Sequence, residues 1–394
     1  MDKELLKKGA IEAVDRLTPE LIEASHKIHG YAEMAFKEYK SAALLEDFLE
    51  KHGFKVERGV AGMETSFRAT WKGKYDGPTI AILAEYDALP NGHSCGHNII
   101  GVAASGAGIA LSKVLGETPG NVVVLGCPAE EGGGGKVFLV KEGFFQGVDA
   151  ALMTHPIAGT SMIGGANLAT TTFTVKYHGK SSHAASDPDE GINALDAVIL
   201  AFQCISALRQ HVPEDVRMHG YIVHGGKAPN VIPDYAEAKY MVRASHKETK
   251  DRVFEKVLNC FKAGALATGC KLEVEPGFSY ADRIVNMTIA RHVQANVRVL
   301  GRKVQDEPVS VRGSTDFGDV SQVVPAVNVY ISIAPEEVAS HSNEMREAAL
   351  SPVGDKGATD AAKVMAMSVI DLLKDPSILE KAWEELRQVM AARK

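Results

Sequence analysis

Three stretches of the chain concentrate side chains that bind metals or move protons. In Asn91-Gly92-His93-Ser94-Cys95-Gly96-His97-Asn98, a thiol and an imidazole stand two residues apart across a flexible glycine. Both can turn toward one ion, and thiolate with imidazole suits Zn²⁺ or a similar borderline cation. His93 is a competing ligand on the same loop, and an unligated Cys with a capping His is the plainer alternative. Glu130-Glu131 precedes Gly132-Gly133-Gly134-Gly135. Adjacent acids project in different directions, so one can bind metal while the other accepts a proton from water; the alternative is two solvated acids in a turn. His155 stands before Pro156, where it is either a ligand or a satisfied core histidine. Asp87, in Glu85-Tyr86-Asp87, orients a metal-bound histidine or is simply a loop acid. His341, in Ser340-His341-Ser342-Asn343-Glu344, is the best C-terminal candidate for a fifth ligand.

The elements around these residues explain why they would meet. Thr79 to Ala84, Asn121 to Gly126, Ala150 to Met153 and Ala326 to Ile333 are apolar runs without alternation. Such runs suit strands buried on both faces, as in a parallel sheet covered by helices. Asn98 to Leu115, rich in Ala and Gly, reads as a covering helix. Ligands of open parallel sheets bind beyond the carboxyl ends of the strands, and the acids and histidines follow the runs directly. Cys, His, Glu, Glu and His are therefore expected at one sheet edge, as a metal site. Upstream, Leu5, Leu6, Ile11, Val14 and Leu17 have helical spacing, and Thr18-Pro19-Glu20 reads as the start of a second helix. Glu38 to His52 reads as a third.

The middle of the chain changes rhythm. Phe173, Val175 and Tyr177 alternate with polar residues, which marks a strand with one wet face. A helix (Ala194 to His211), two strands (Val216 to His224, Tyr235 to Arg243), a helix (Glu248 to Leu266) and a strand (Cys270 to Glu275) follow. This βαββαβ order is the ferredoxin-like split unit. The expected architecture is α/β, mainly parallel, with a discontinuous catalytic domain (1–166 and 281–394) interrupted by an inserted domain (167–280).

Composition narrows the classes. At 394 residues and roughly 150 per domain, two to three folding units are expected. Lys and Arg total 43 against 50 Asp and Glu, a net charge of −7, which argues against nucleic acid or an anionic membrane as the main partner. No run of about 18 apolar residues suggests a membrane span. Five scattered cysteines fit reduced thiols, hence the cytosol, better than a disulfide framework; those other than Cys95 read as buried. The charged N-terminus lacks a signal-peptide core.

Seven motifs in order carry a specific resemblance: Ala84 to Pro90, Cys95 to Asn98, Pro128 to Lys136, Thr154 to Pro156, Lys180 to Ala185, Pro229 to Pro233 and Gly313 to Asp316. The chain resembles the aminoacylase and carboxypeptidase-G type metallopeptidase family, in its amidohydrolase branch, near p-aminobenzoyl-glutamate hydrolases and β-alanyl dipeptidase-like proteins. Asn98, where Asp is usual after Cys-Gly-His, points to that neighbourhood. The resemblance implies hydrolysis of the amide bond of a small N-acyl amino acid or dipeptide-like substrate. It implies a lid that also forms a homodimer, and two divalent ions per subunit, Zn²⁺ or Mn²⁺, with Co²⁺ accepted. It implies Cys95, His97, Glu131, His155 and His341 as ligands, Glu130 as general base, and His183 and Asn230 as lid residues reaching the substrate. Arg243 would hold the substrate carboxylate, and Ser314 would lie on a substrate-contact loop. Glu85-Tyr86-Asp87 departs from the His-x-Asp of many relatives, leaving Asp87 to orient and Glu85 without an assigned role. An aminoacylase of the auxin-conjugate type, a non-catalytic metabolite-binding relative and a cysteine hydrolase using Cys95 are the alternatives.

Overall fold

The apolar runs form the centre of a seven-stranded sheet in a computed structural model that describes residues 2–310 and 313–393. Its strands are β1 (Lys55–Arg58), β2 (Phe67–Lys72), β3 (Thr79–Ala84), β4 (Asn121–Gly126), β5 (Ala150–Ala158), β6 (Met162–Ile163) and β11 (Ala326–Ala334), in the order β1-β2-β4-β3-β5-β11-β6. The inner strands β4, β3, β5 and β11 are parallel, while β1, β2 and β6 add antiparallel margins. Ile80 through Ala84 are all buried, as expected of a strand covered on both faces.

Glycines let the covering helix His97–Val114 approach the sheet. A Cβ on Gly108 would lie 2.7 Å from Val124 of β4, and one on Gly101 would lie 3.0 Å from the Glu85 carbonyl oxygen. At the N-terminus the two expected helices are one, Lys3–Tyr31, with Pro19 inside it. Its buried stripe, Leu6, Ala10, Ala13, Val14, Leu17, Leu21, Ala24, Ser25 and Ile28, crosses the proline without losing phase. Burial of that stripe outweighs the hydrogen bond that Pro19 cannot donate.

Residues 2–166, 283–310 and 315–393 pack as one unit, and residues 167–282 with 313–314 as a second. The second holds β7 (Ala169–His178), β8 (Arg217–His224), β9 (Tyr235–Ala244) and β10 (Lys271–Tyr280), antiparallel in the order β10-β7-β9-β8. Helices Ala194–Leu208 and Lys247–Thr268 complete the expected βαββαβ order. Phe173, Val175 and Tyr177 enter the core against both helices. Strand β8 is an edge, and Tyr221, Ile222 and Val223 on it are 60, 40 and 44 % exposed.

All five cysteines are free thiols. Cys127 and Cys270 are buried, but Cys204 is exposed and Cys260 only partly covered, against expectation. Cys204 falls beside the buried stripe of Ala194, Ala197, Val198, Ala201 and Ile205, so its helix turns it to solvent. Among the described residues, no helix is long and apolar enough to cross a membrane.

Candidate metal centre

The loop after β3 turns back so that Asp87 meets His97. Asp87 Oδ1 accepts from His97 Nδ1 at 2.9 Å, and Asp87 Oδ2 accepts the backbone N–H of Glu131 at 3.0 Å. Asp87 thus fixes the imidazole, leaves Nε2 as the atom available to an ion, and ties the Cys95 loop to the Glu130-Glu131 turn. Gly96 has φ +75°, and a Cβ there would sit 2.8 Å from Pro156 Cγ. Only glycine meets both demands, and it is the residue that turns Cys95 and His97 toward one point.

The acid pair depends on a strained neighbour. Ala129 has φ +60°, uncommon outside glycine. Its N–H donates to Glu38 Oε1 at 2.9 Å, and its carbonyl accepts from Gly133 and Gly134 at 2.9 and 2.7 Å. Glu38 is buried, and desolvation pushes its carboxyl up to about 7. Glu130, next to Ala129 in the turn, has its carboxyl pushed well above the usual range by desolvation and then by the nearby Glu85 and Glu131 carboxylates.

His155 donates from Nδ1 to the Pro156 carbonyl at 2.7 Å, which leaves Nε2 facing Cys95 Sγ at 3.4 Å. Desolvation lowers its pKa to about 4, so the ring is neutral and able to ligate. His341 has φ +64° and lies 3.7 Å through Nε2 from Glu131 Oε1. Its N–H donates to Ser94 O and its carbonyl accepts from Asn91 Nδ2, at 3.2 and 3.0 Å, so it is laced to the Cys95 loop. Cys95, His97 and His155 form one group of ligand atoms within 4.8 Å of one another; Cys95, Glu131 and His341 form a second; His97, Glu130 and Glu131 form a third. The five expected ligands therefore share one centre.

A metal fits this arrangement. His97 Nε2 and Glu131 Oε1 are buried without a hydrogen-bond partner, which is costly unless a cation satisfies both. Burial raises the Cys95 thiol, so without a cation beside it the sulfur stays protonated.

The N-terminal helix supports both loops of candidate ligands. His93 is buried and bonds through Nε2 to the Ile28 carbonyl at 3.0 Å, so it anchors its loop, and it falls in none of the ligand groups found among the described residues. Asn98 Nδ2 donates to Ser25 Oγ at 2.9 Å and to Ala349 O at 3.2 Å. His29 Nε2 lies 3.0 Å from the Arg346 carbonyl, just after the His341 segment. Three further residues, Glu38, Lys136 and Asp316, carried no sequence assignment although their side chains are buried at the centre. A lysine in the first turn of helix Gly135–Lys141, against the helix dipole, was the available signal for Lys136.

The other candidates belong to the second unit, in two clusters. His183 is exposed and pairs with Val231 in an isolated antiparallel bridge, and Ala184 N–H donates to Asn230 O at 3.0 Å. Arg243 Nη1 donates to Ser314 Oγ at 3.1 Å, and Ser314 Oγ donates to Leu168 O at 2.7 Å.

Asp87→Asn is expected to weaken divalent-ion affinity by about 10- to 100-fold, with the fold retained. Equilibrium dialysis measures this, and unchanged affinity would mean that the Asp87 contact does not orient a ligand.

A partly buried acid of raised pKa beside clustered thiol, imidazole and carboxylate side chains is an arrangement suited to metal-dependent hydrolysis. Residues 167–268 match the peptidase dimerisation domain of the M20 group. The chain is 38 % identical to the Xaa-Arg dipeptidase of Mus musculus, over 98 % of this chain and 93 % of that protein. It is 29 % identical to a p-aminobenzoyl-glutamate hydrolase polypeptide of Escherichia coli K12, over 96 % and 94 %. A dinuclear metal-binding peptidase of the M20 family from Bacillus subtilis shares the fold, with TM-score 0.70 and 22 % identity, over 91 % of this chain and 99 % of that one. The chain belongs to the M20 peptidase family, as its motifs implied, and is a hydrolase of amide bonds.

Proposed function

We propose that this chain, as a cytosolic homodimer, cleaves the amide bond of a dipeptide or N-acyl amino acid whose carboxyl-terminal residue is basic. The observation that carries the chemistry is Glu130, partly buried and of raised proton affinity beside five ligand-type side chains. Cys95, His97, Glu131, His155 and His341 would hold two divalent ions, Zn²⁺ or Mn²⁺ with Co²⁺ as a substitute; the thiolate favours zinc. Bound there, the ions supply Lewis acidity, polarising the amide carbonyl and acidifying water toward neutrality. Glu130 takes a proton from the attacking water as its oxygen bonds to the carbonyl carbon. It then delivers that proton to nitrogen as the C–N bond breaks, and the second water proton passes from the acid product to the amine, leaving a carboxylate and an ammonium.

His183 Nδ1 accepts backbone N–H groups from Ala185 and Ser186 at 3.2 and 3.1 Å. Its proton therefore sits on Nε2, free to donate to the oxyanion, while Asn230 meets the substrate from the same cluster. Arg243, steadied by Ser314, pairs with the substrate carboxylate. The two clusters lie at opposite ends of the β7 and β9 pair: β9 starts at Tyr235, opposite His178, and ends at Ala244, opposite Ala169. Ten strand residues span about 30 Å, too far for one dipeptide. His183 and Asn230 thus serve the neighbouring subunit's site, and the exposed β8 edge is the pairing surface. Residues 167–280 act as lid and dimerisation domain.

Substrate class rests on the relatives and on a cavity of about 690 Å³ lined by Leu168, Asp215, Arg217, His219, Arg243, Ser245 and Gly313. Arg243 suits a carboxylate, and Asp215 a cationic side chain. A second reading, p-aminobenzoyl-glutamate, is favoured by Arg217 beside Arg243, since two guanidinium groups match two carboxylates. A turnover panel of Xaa-Arg, Xaa-Lys and β-alanyl dipeptides, p-aminobenzoyl-glutamate and N-acetyl amino acids decides between them. Fastest kcat/KM on glutamate conjugates would sink the basic-residue reading. For the shared site, Glu130→Gln and His183→Ala chains refolded together are expected to recover about a quarter of wild-type activity. No recovery beyond the separate variants would place His183 in its own subunit's site or nowhere near it.

A further inference from the structure

Glu85, unassigned by the sequence, has a partner in the structure. Lys136 Nζ lies 2.6 Å from Glu85 Oε1 and 2.7 Å from Asp316 Oδ1, and all three side chains are fully buried. Asp316 Oδ2 also accepts the Lys136 backbone N–H at 2.9 Å, so this lysine is gripped by main chain and side chain together. One oxygen each from Glu85, Glu130 and Asp316 lies within 4.8 Å of the other two, a spacing able to hold a cation. Glu85 Oε2 is in turn 3.5 Å from His97 Nε2. The acids of this pocket thus touch the metal centre on one side and surround a lysine on the other.

Three carboxylates at this spacing make a hard-cation site once nothing positive stands between them. Burying that many anions without compensation is strongly unfavourable, and the compensating charge is the Lys136 ammonium. An ammonium differs from a metal ion in one decisive respect: it neutralises a carboxylate without drawing it into a coordination shell. We propose that Lys136 is a positioning residue, the resident cation of the Glu85, Glu130 and Asp316 pocket. It holds these acids apart from the ligand set and keeps a further divalent ion out, so that Glu130 remains available to water instead of becoming a ligand. This rests on reading Glu130 as the proton-transfer acid.

The test compares the full-length wild type, Lys136→Met and Lys136→Arg after dialysis against Mn²⁺, with bound metal counted per chain and kcat and KM measured on the best substrate. Wild type and Lys136→Arg are expected to bind two ions. Lys136→Met is expected to bind three and to lose about 100-fold in kcat, with KM within about threefold, because Glu130 is sequestered while substrate contacts persist. A metal count in Lys136→Met equal to wild type overturns the proposal whatever the activity. A wild type that binds no divalent ion instead removes the underlying reading of the centre. If Lys136→Met does not fold, Lys136→Met combined with Glu85→Gln removes one charge of each sign. Wild-type kcat in that variant also overturns the proposal, and a loss of at least about tenfold with KM kept supports it.

Discussion

Glu130→Gln is expected to lower kcat by about 10⁴-fold while leaving bound metal, melting temperature and KM nearly unchanged. Two proton transfers depend on this one carboxylate, one from water and one to the leaving nitrogen, and each is worth about 10²- to 10⁴-fold. Glutamine fills the same space, and Glu131, His97 and Cys95 remain to hold the ions, so the loss would be chemical and not structural. The turn itself is set elsewhere, by Glu38 on the Ala129 N–H and by Asp87 on the Glu131 N–H. Metal analysis beside single-turnover kinetics checks the outcome. A metal-replete variant turning over at even a tenth of the wild-type rate would require another base.

Cys95 gives the second large effect and separates two chemistries. As a ligand, Cys95→Asp keeps an anionic donor at the centre and is expected to retain about 1 to 10 % of wild-type activity, still abolished by chelation. Cys95→Ala removes the donor from two of the three ligand groups and is expected to lose one ion and activity to the detection limit. As a nucleophile, neither variant would work. The thiol is held protonated by burial; of the two imidazoles near it, His155 is held neutral with a pKa of about 4, while His97 is pushed up, against desolvation, chiefly by Asp87, its Nδ1 partner. A Cys–His hydrolase pair needs a thiolate beside an imidazolium. Chelator-resistant activity in the wild type would sink the ligand role.

How far the residues alone led depended on whether the signal was local. The four inner strands were legible because burial on both faces leaves unbroken apolar runs, and the clustering of the candidate ligands because they come directly after those runs. The inserted unit was legible because β7 alternates cleanly between core and solvent. Strand β1 was missed: Lys55–Arg58 is short, largely exposed and rich in charge, and exists because β2 offers it a partner. Pro19 misled because the stripe that overrides it is a property of what the helix packs against. At the centre, Lys136 and Asp316 are 180 positions apart, and Glu38 and Ala129 are 91 apart. Neither pairing leaves a mark in the neighbourhood of either residue. The anchoring of His93 was hidden for the same reason, since its partner is a carbonyl of the first helix.

That first helix has a consequence for how the molecule breathes. Ile28 holds the loop of Cys95 and His97 through His93, Ser25 holds it through Asn98, and His29 reaches the segment that follows His341. Both loops of candidate ligands therefore share a cooperative unit with Lys3–Tyr31, although the helix supplies none of those side chains. With ions held by those loops, fraying of the helix and escape of the ions would be one equilibrium seen from two ends, and ion occupancy is expected to slow hydrogen exchange near Ile28 by the same free energy that helix opening subtracts from ion affinity.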